Sequence, residues 1–222
     1  MFRTKRLPEL YTEGEEAAVE AHIATWFGES KAVLHEAYSP DIRVDVCVVA
    51  PTSRRKHYTL VTRGMGAHRM KVPWNLRREG IDRAELLMAL PPDWNIKSED
   101  ERWYWPVHCL RSLARLPGAE RSWLGYGHTV SNGEPFTKGT RLCGVMLTDP
   151  YLFDEEADIC TLPNGDRVNF YQVLPLYGDE IEFAYEHGTE ALEDLFPEDI
   201  DLVVDPSRRS MVRGRGGAQD GP

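Results

Sequence analysis

His128 sits in LGYGHTVSNGEPF, residues 124–136, and is followed along the chain by Glu134, Cys143 and Asp149. A thiol that gives its proton to a histidine, itself oriented by a carboxylate, is the constellation of nucleophilic acyl transfer, so these residue types allow a hydrolase or a transferase built on His128. Two features oppose that chemistry. Cys143 lies in LCGVML, an apolar run that fits a buried strand, where a thiol stays protonated and inert. No serine or cysteine stands on a glycine-flanked turn of the nucleophile-elbow kind. The glycines at 125, 127 and 133 supply dihedrals that other residues resist, so the His128 ring is expected to span the loop and bond to its backbone.

Metal and nucleotide chemistry find less support. The seven histidines are scattered without HExxH or HxH spacing, and His108-Cys109, adjacent on a helix, point about 100° apart. GYG does not extend to GxGxxG, and GxxxxGK[ST] is missing. We expect no catalytic residue, no metal and no cofactor.

Charge carries a stronger signal. The net charge is -10, which argues against nucleic acid as a partner. Residues 145–205 hold 17 acidic side chains and one basic, whereas residues 1–144 hold 18 acidic and 21 basic. Such a one-signed field repels itself in the folded state and steers basic partners toward it. Its densest parts are DEEAD, residues 154–158, and EDLFPEDID, residues 193–201.

The elements that must position these groups are legible from periodicity. Thr12 and Glu15 form a capping-box pattern ahead of EEAAVEAHIATWF, which places Val19, Ile23, Trp26 and Phe27 on one helical face and stops at Gly28. RVDVCVVA, HYTLVTRGM, ELLMALP and RLCGVMLTDP predict strands, and the unbroken apolar run of ELLMALP predicts burial on both faces. WYWPVHCLRSLARLPG predicts a helix with Pro106 in its first turn and Pro117-Gly118 as its stop. Asn164-Gly165 predicts a hairpin within CTLPNGDRVNFYQVLPL, and DEIEFAYEHGTEALEDLF predicts helix on both sides of His187-Gly188. LVVDP can add a terminal strand. Strands and helices mix without regular βαβ alternation, so the class is α+β, a mixed sheet flanked by helices.

A chain of 222 residues can bury a sizeable core in one domain. No stretch reaches about 18 uncharged apolar residues and no signal-peptide pattern opens the chain, so no membrane contact and a cytoplasmic location are expected. Four separated cysteines without a CxxC pair fit reduced thiols. The expected organisation is an N-terminal helical segment over 1–29 packed on a domain over 30–205, then an arginine- and glycine-rich tail over 206–222 too polar to pack.

Taken in order, HYTLVTRGM, AELLMALPPDW, YWPVHCLRSLARLP, WLGYGHTV with GEPF, VMLTDP and VNFYQVLPLYGDEIEFAYEHGTEALEDLF resemble the suppressor of fused domain over residues 30–205. The likeness is to bacterial members and to the N-terminal lobe of the animal protein. The animal protein clamps a peptide of Gli-type transcription factors as an added strand between two lobes, a form of β-augmentation. Bacterial members often serve as immunity proteins against secreted toxins and have no established catalytic activity. The resemblance therefore implies a suppressor-of-fused-like fold and a non-catalytic protein-binding function, as an immunity protein or inhibitory adaptor.

Together these readings assign a basic protein partner, such as a toxin domain, to a surface of Asp154, Glu155, Glu156 and Asp158, with Tyr126, His128 and Glu134 ordering the loop beside it. A hydrolase using His128 and a peptide-binding module acting by strand addition are the alternatives.

Overall fold

The structure is a computed structural model, and it describes residues 8–39, 41–197 and 202–213. The expected capping box is formed: the Glu15 amide donates to Thr12 Oγ1 at 3.3 Å, and the Thr12 amide donates to Glu15 Oε2 at 2.9 Å. Helix α1, Glu13–His22, continues through one π turn, Ile23–Phe27, to Gly28, whose φ of 109° ends it. Val19, Ile23 and Phe27 are buried along its inner face.

Among the described residues one sheet contains β1 (Ser30–Leu34), β2 (Asp45–Val49), β3 (Tyr58–Arg63), β4 (Ala84–Leu90), β5 (Thr129–Ser131), β6 (Leu142–Thr148), β7 (Ile159–Thr161) and β8 (Arg167–Tyr177). The order is β1-β2-β3-β4-β8-β6-β5, with β7 paired to the first residues of β8 on the side where β6 pairs further along. Among the described strands only β4 and β8 run parallel, so the sheet is mixed, as α+β predicts.

Strand alternation assigns the two faces. Val46, Val48, Leu86, Met88 and Val173 meet helix α2 (Glu101–Glu120) through Leu110 and Leu113. Cys47, Leu87 and Phe170 point the other way, onto Val19, Ile23 and Phe27. Further along that face, Met146, Leu174 and Leu176 receive Ala184 of α3 (Gly178–His187) and Leu192 of α4 (Thr189–Glu193). This period of two is what a half-buried strand imposes, and it builds helical layers on both faces.

Three expectations are corrected. First, α2 begins before Pro106, capped by Asp100, and passes through Pro117 to Glu120, where Arg121 turns left-handed at φ 51°. Burial of Leu110, Leu113, Ala114 and Pro117 on the sheet outweighs the roughly 3 kcal/mol a proline costs inside a helix. Second, LVVDP adds only a bridge: Val204 N donates to Ala89 O at 2.9 Å, where β8 has diverged from β4.

Third, residues 206–213 are held against the domain. Glu180 is fully buried, and it receives Arg208 Nη1 and Nη2 at 2.5 and 2.6 Å and the Met211 amide at 2.9 Å. A buried carboxylate requires such a partner, and this demand orders a segment whose composition alone does not predict packing. The rest of the expected tail lies outside the described residues.

Candidate functional site

β6 is the axis of the loop that carries His128. Gly127 N donates to Leu147 O at 2.8 Å and Leu147 N donates to His128 O at 3.0 Å, so residues 125–128 wrap the C-terminal end of β6. Gly127 takes φ 74° to do so. The half-buried His128 ring bonds to the Trp123 backbone and packs edge-on against the Trp123 ring, 4.9 Å between centroids. Burial holds its pKa below the ordinary 6.5, so the imidazole is neutral.

The catalytic constellation is not assembled. His128 lies opposite Leu147, four residues along the strand from Cys143, a separation of roughly 13 Å at about 3.4 Å per residue. The Cys143 thiol adjoins Gly178, and burial together with Asp179, Glu180 and Glu182 raises its pKa. No group of three or more His, Cys, Asp or Glu side chains among the described residues is arranged to hold a metal.

The same wrap puts Tyr126 beside the acidic segment. Its hydroxyl donates to Glu193 Oε2 at 2.7 Å and lies 3.4 Å from the Tyr151 hydroxyl, a contact longer than a strong hydrogen bond. Tyr151 in turn lines an open cavity of about 720 Å³ with Asp149, Glu155, Glu156, Asp158 and Ile159. Tyr151 and Ile159 stay 60% and 42% exposed, so aromatic and aliphatic groups line the acidic concavity, and Tyr126 beside Tyr151 stays 43% exposed.

Glu155–Asp158 form a single 3-10 turn, anchored by the buried Ala157. His22 of α1 fixes it, because its Nε2 lies 2.9 Å from Ala157 O while its ring stacks on Phe170 at 4.7 Å. Burial, then the charges of Asp149 and Glu155, push the Asp158 carboxyl up to about 6. Burial also raises Asp149. The lone cation of residues 145–205, Arg167, lines the same cavity.

The seven residues singled out from sequence are thus divided. Glu155, Glu156 and Asp158 share one cavity, and Tyr126 reaches its rim through Tyr151. Asp154 lines a neighbouring cavity of about 1170 Å³ with Arg54, Arg55 and Lys56. His128 turns inward. Glu134 is not beside the acidic surface: Asn132 N donates to Cys143 O and Phe136 N to Leu142 O, which puts residues 132–136 at the opposite end of β6. The antiparallel β5–β6 pairing carries the chain away from Asp149 over residues 129–131, between His128 and Glu134. Tyr151 and Ile159 escaped the sequence reading, which named Asp149 only as a carboxylate for His128 and Glu193 only as part of an acidic run, although an aromatic and a carboxylate in the loop TDPY offered a signal.

Comparison with known proteins agrees with this architecture. The family model described as Suppressor of fused protein (SUFU) matches residues 40–209. "Uncharacterized protein UU111" of Ureaplasma parvum serovar 3 is 25% identical over 206 residues, covering 91% of this chain and 98% of its own. Among solved structures, a putative SUFU homologue from Neisseria gonorrhoeae superposes with a TM-score of 0.63 at 20% identity, covering 89% of this chain and 96% of the other. The Sufu–Fu complex gives 0.65 at 15% identity, with 95% and 96% covered. Drosophila Suppressor of Fused gives 0.55 at 17% identity, with 78% of this chain but 44% of that chain covered. With its family model matched over most of the chain and its fold shared with these structures, the protein belongs to the suppressor of fused family.

Proposed function

We propose that the chain is a non-catalytic protein-binding domain, an immunity protein or inhibitory adaptor that takes a basic partner on the acidic surface around Asp149, Glu155, Glu156 and Asp158. The observation that carries this reading is the shared cavity itself, which sets four carboxylates around the exposed Tyr151 and Ile159. Protein interfaces are anchored by aromatic side chains with a polar rim, and carboxylates there steer a cationic partner. Family membership supports protein binding, and one structural relative is known in a Sufu–Fu complex. The divided His128 and Cys143 favour binding over acyl transfer. Reversing Glu155 and Glu156 to lysine is expected to slow association with the partner and to flatten its salt dependence; unchanged kinetics overturn the reading.

Strand addition is a second reading with its own support. Among the described residues β5 pairs only with β6, and beside it Leu113, Leu116, Val130 and Phe136 line a groove. A segment added to β5 would bind through main-chain hydrogen bonds, so its affinity would change little between low and high salt.

A further inference from the structure

The domain has a second concave surface of opposite sign. Lys138, Arg141, Arg208, Arg209 and Arg213 line an open cavity of about 630 Å³, and no aspartate or glutamate is among its described lining residues. It lies at the N-terminal end of β6, where Leu142 pairs with Tyr177, and so a strand's length from the acidic surface that follows the C-terminal end. Six steps from Leu142 to Thr148 at about 3.4 Å each put the two roughly 20 Å apart.

Two of the five cations are neutralised. Arg208 is bound by the buried Glu180, and Arg213 Nε lies 2.7 Å from Asp179 Oδ2. Lys138, Arg141 and Arg209 have no ion-pair partner among the described residues. Carboxylates are abundant in a chain of net charge -10, so three cations together without one among the described residues are not the result of scarcity. The Tyr177 ring spaces Arg141 from Arg208, at 5.7 Å and 4.9 Å from its centroid. Ser210 adds a buried hydroxyl that has no hydrogen-bond partner among the described residues.

Like charges gathered in a concavity repel one another, and a bound anion relieves that repulsion. Guanidinium forks and a hydroxyl match the several oxygens of a phosphoryl group better than the two of a carboxylate. Two linked phosphoryl groups, each bearing roughly one to two negative charges near neutral pH, match three unpaired cations. The volume falls within the range of small-ligand sites. A long polyanion would also have to cross the acidic surroundings contributed by residues 145–205, which a small one does not.

We propose that this cavity binds a small molecule with linked phosphoryl groups, either a free pyrophosphate or a nucleoside di- or triphosphate. This inference is independent of the acidic-surface reading. The test is calorimetric titration of the full chain with pyrophosphate, ATP, AMP, orthophosphate and a single-stranded oligonucleotide. Pyrophosphate and ATP are expected to bind one to one and at least tenfold more tightly than orthophosphate or AMP. Equal binding of the two would identify the phosphoryl groups alone as the ligand, and tighter binding of ATP a nucleotide. The double variant Arg141→Gln, Arg209→Gln is expected to lose at least tenfold in affinity with an unchanged melting temperature, since both side chains are exposed. No binding of either phosphate compound, binding unchanged in the double variant, or equal affinity for the oligonucleotide would overturn the proposal.

Discussion

His22 and His128 do similar work at two places: each is a neutral ring, buried enough to lower its pKa, that bonds to a backbone group and holds a loop. Below the ordinary 6.5, the unfolded chain takes up protons that these native rings resist. Stability is therefore expected to fall as pH drops from 7 to 5. Asp158 has the opposite sign, because its folded pKa of about 6 exceeds the ordinary 3.8, so protonation in that window favours the native state. Urea unfolding at pH 7 and pH 5 separates them: Asp158→Asn should steepen the loss on acidification, and His22→Gln with His128→Gln should flatten it. Protonation of Asp158 also removes charge from the acidic surface, so partner affinity should weaken from pH 7 to pH 5 in the wild type and less so in Asp158→Asn. At this scale the sequence was a partial guide. His128 as the holder of its loop was legible from the surrounding glycines, but its contact with Trp123, and the hold of His22 on the acidic turn 135 residues away, depend on tertiary packing that spacing does not encode.

Among the elements, β6 and β8 organise both charged surfaces, and two close contacts maintain them. Gly144 of β6 has no room for a side chain: a Cβ there would lie 2.3 Å from Ile181 Cδ1 and 2.7 Å from Val130 O. Gly144→Ala should cost about 1–3 kcal/mol through overpacking and loosen β5 and α3 together, read as a lower denaturant midpoint and faster amide exchange in β5. Arg208→Ala would leave Glu180 buried without its cation, a change expected to cost about 3–5 kcal/mol. Arg208→Ala with Glu180→Gln should recover part of that loss. Strand and hairpin positions were legible from β-branched runs and from Asn164-Gly165, which closes β7 onto β8 with Gly165 at φ 85°. The limits of α2 were not, because local proline signals favoured a shorter helix and burial on the sheet overrode them. Glu180 gave no sign in sequence that it would be sealed by an arginine 28 residues later.

For the whole molecule, the net charge of -10 conceals a division: carboxylates gather around Tyr151 near one end of β6, and cations around Tyr177 near the other. That residues 145–205 are acidic was plain in the composition, but which of the 17 carboxylates share a cavity required the fold, since Asp154 lines the neighbouring cavity, and Glu134, outside that segment, lies at the other end of β6. Glu85 at the centre of the sheet is the counterexample to charge as a surface property. It is fully buried and accepts bonds from Tyr11, Thr62, Gly64 and Gly66, tying the N-terminal segment to β3 and β4. Capture of a basic protein by the acidic cavity is the function proposed for this surface. Its most direct test is a pull-down from the host with the tagged chain, run in parallel with Glu155→Lys, Glu156→Lys, Asp158→Asn, and followed by titration of the recovered protein at low and high salt. A basic protein is expected to bind the wild type stoichiometrically, to be weakened by salt, and to bind the variant at least tenfold less tightly. Recovery of the same protein with equal affinity by both chains would contradict it.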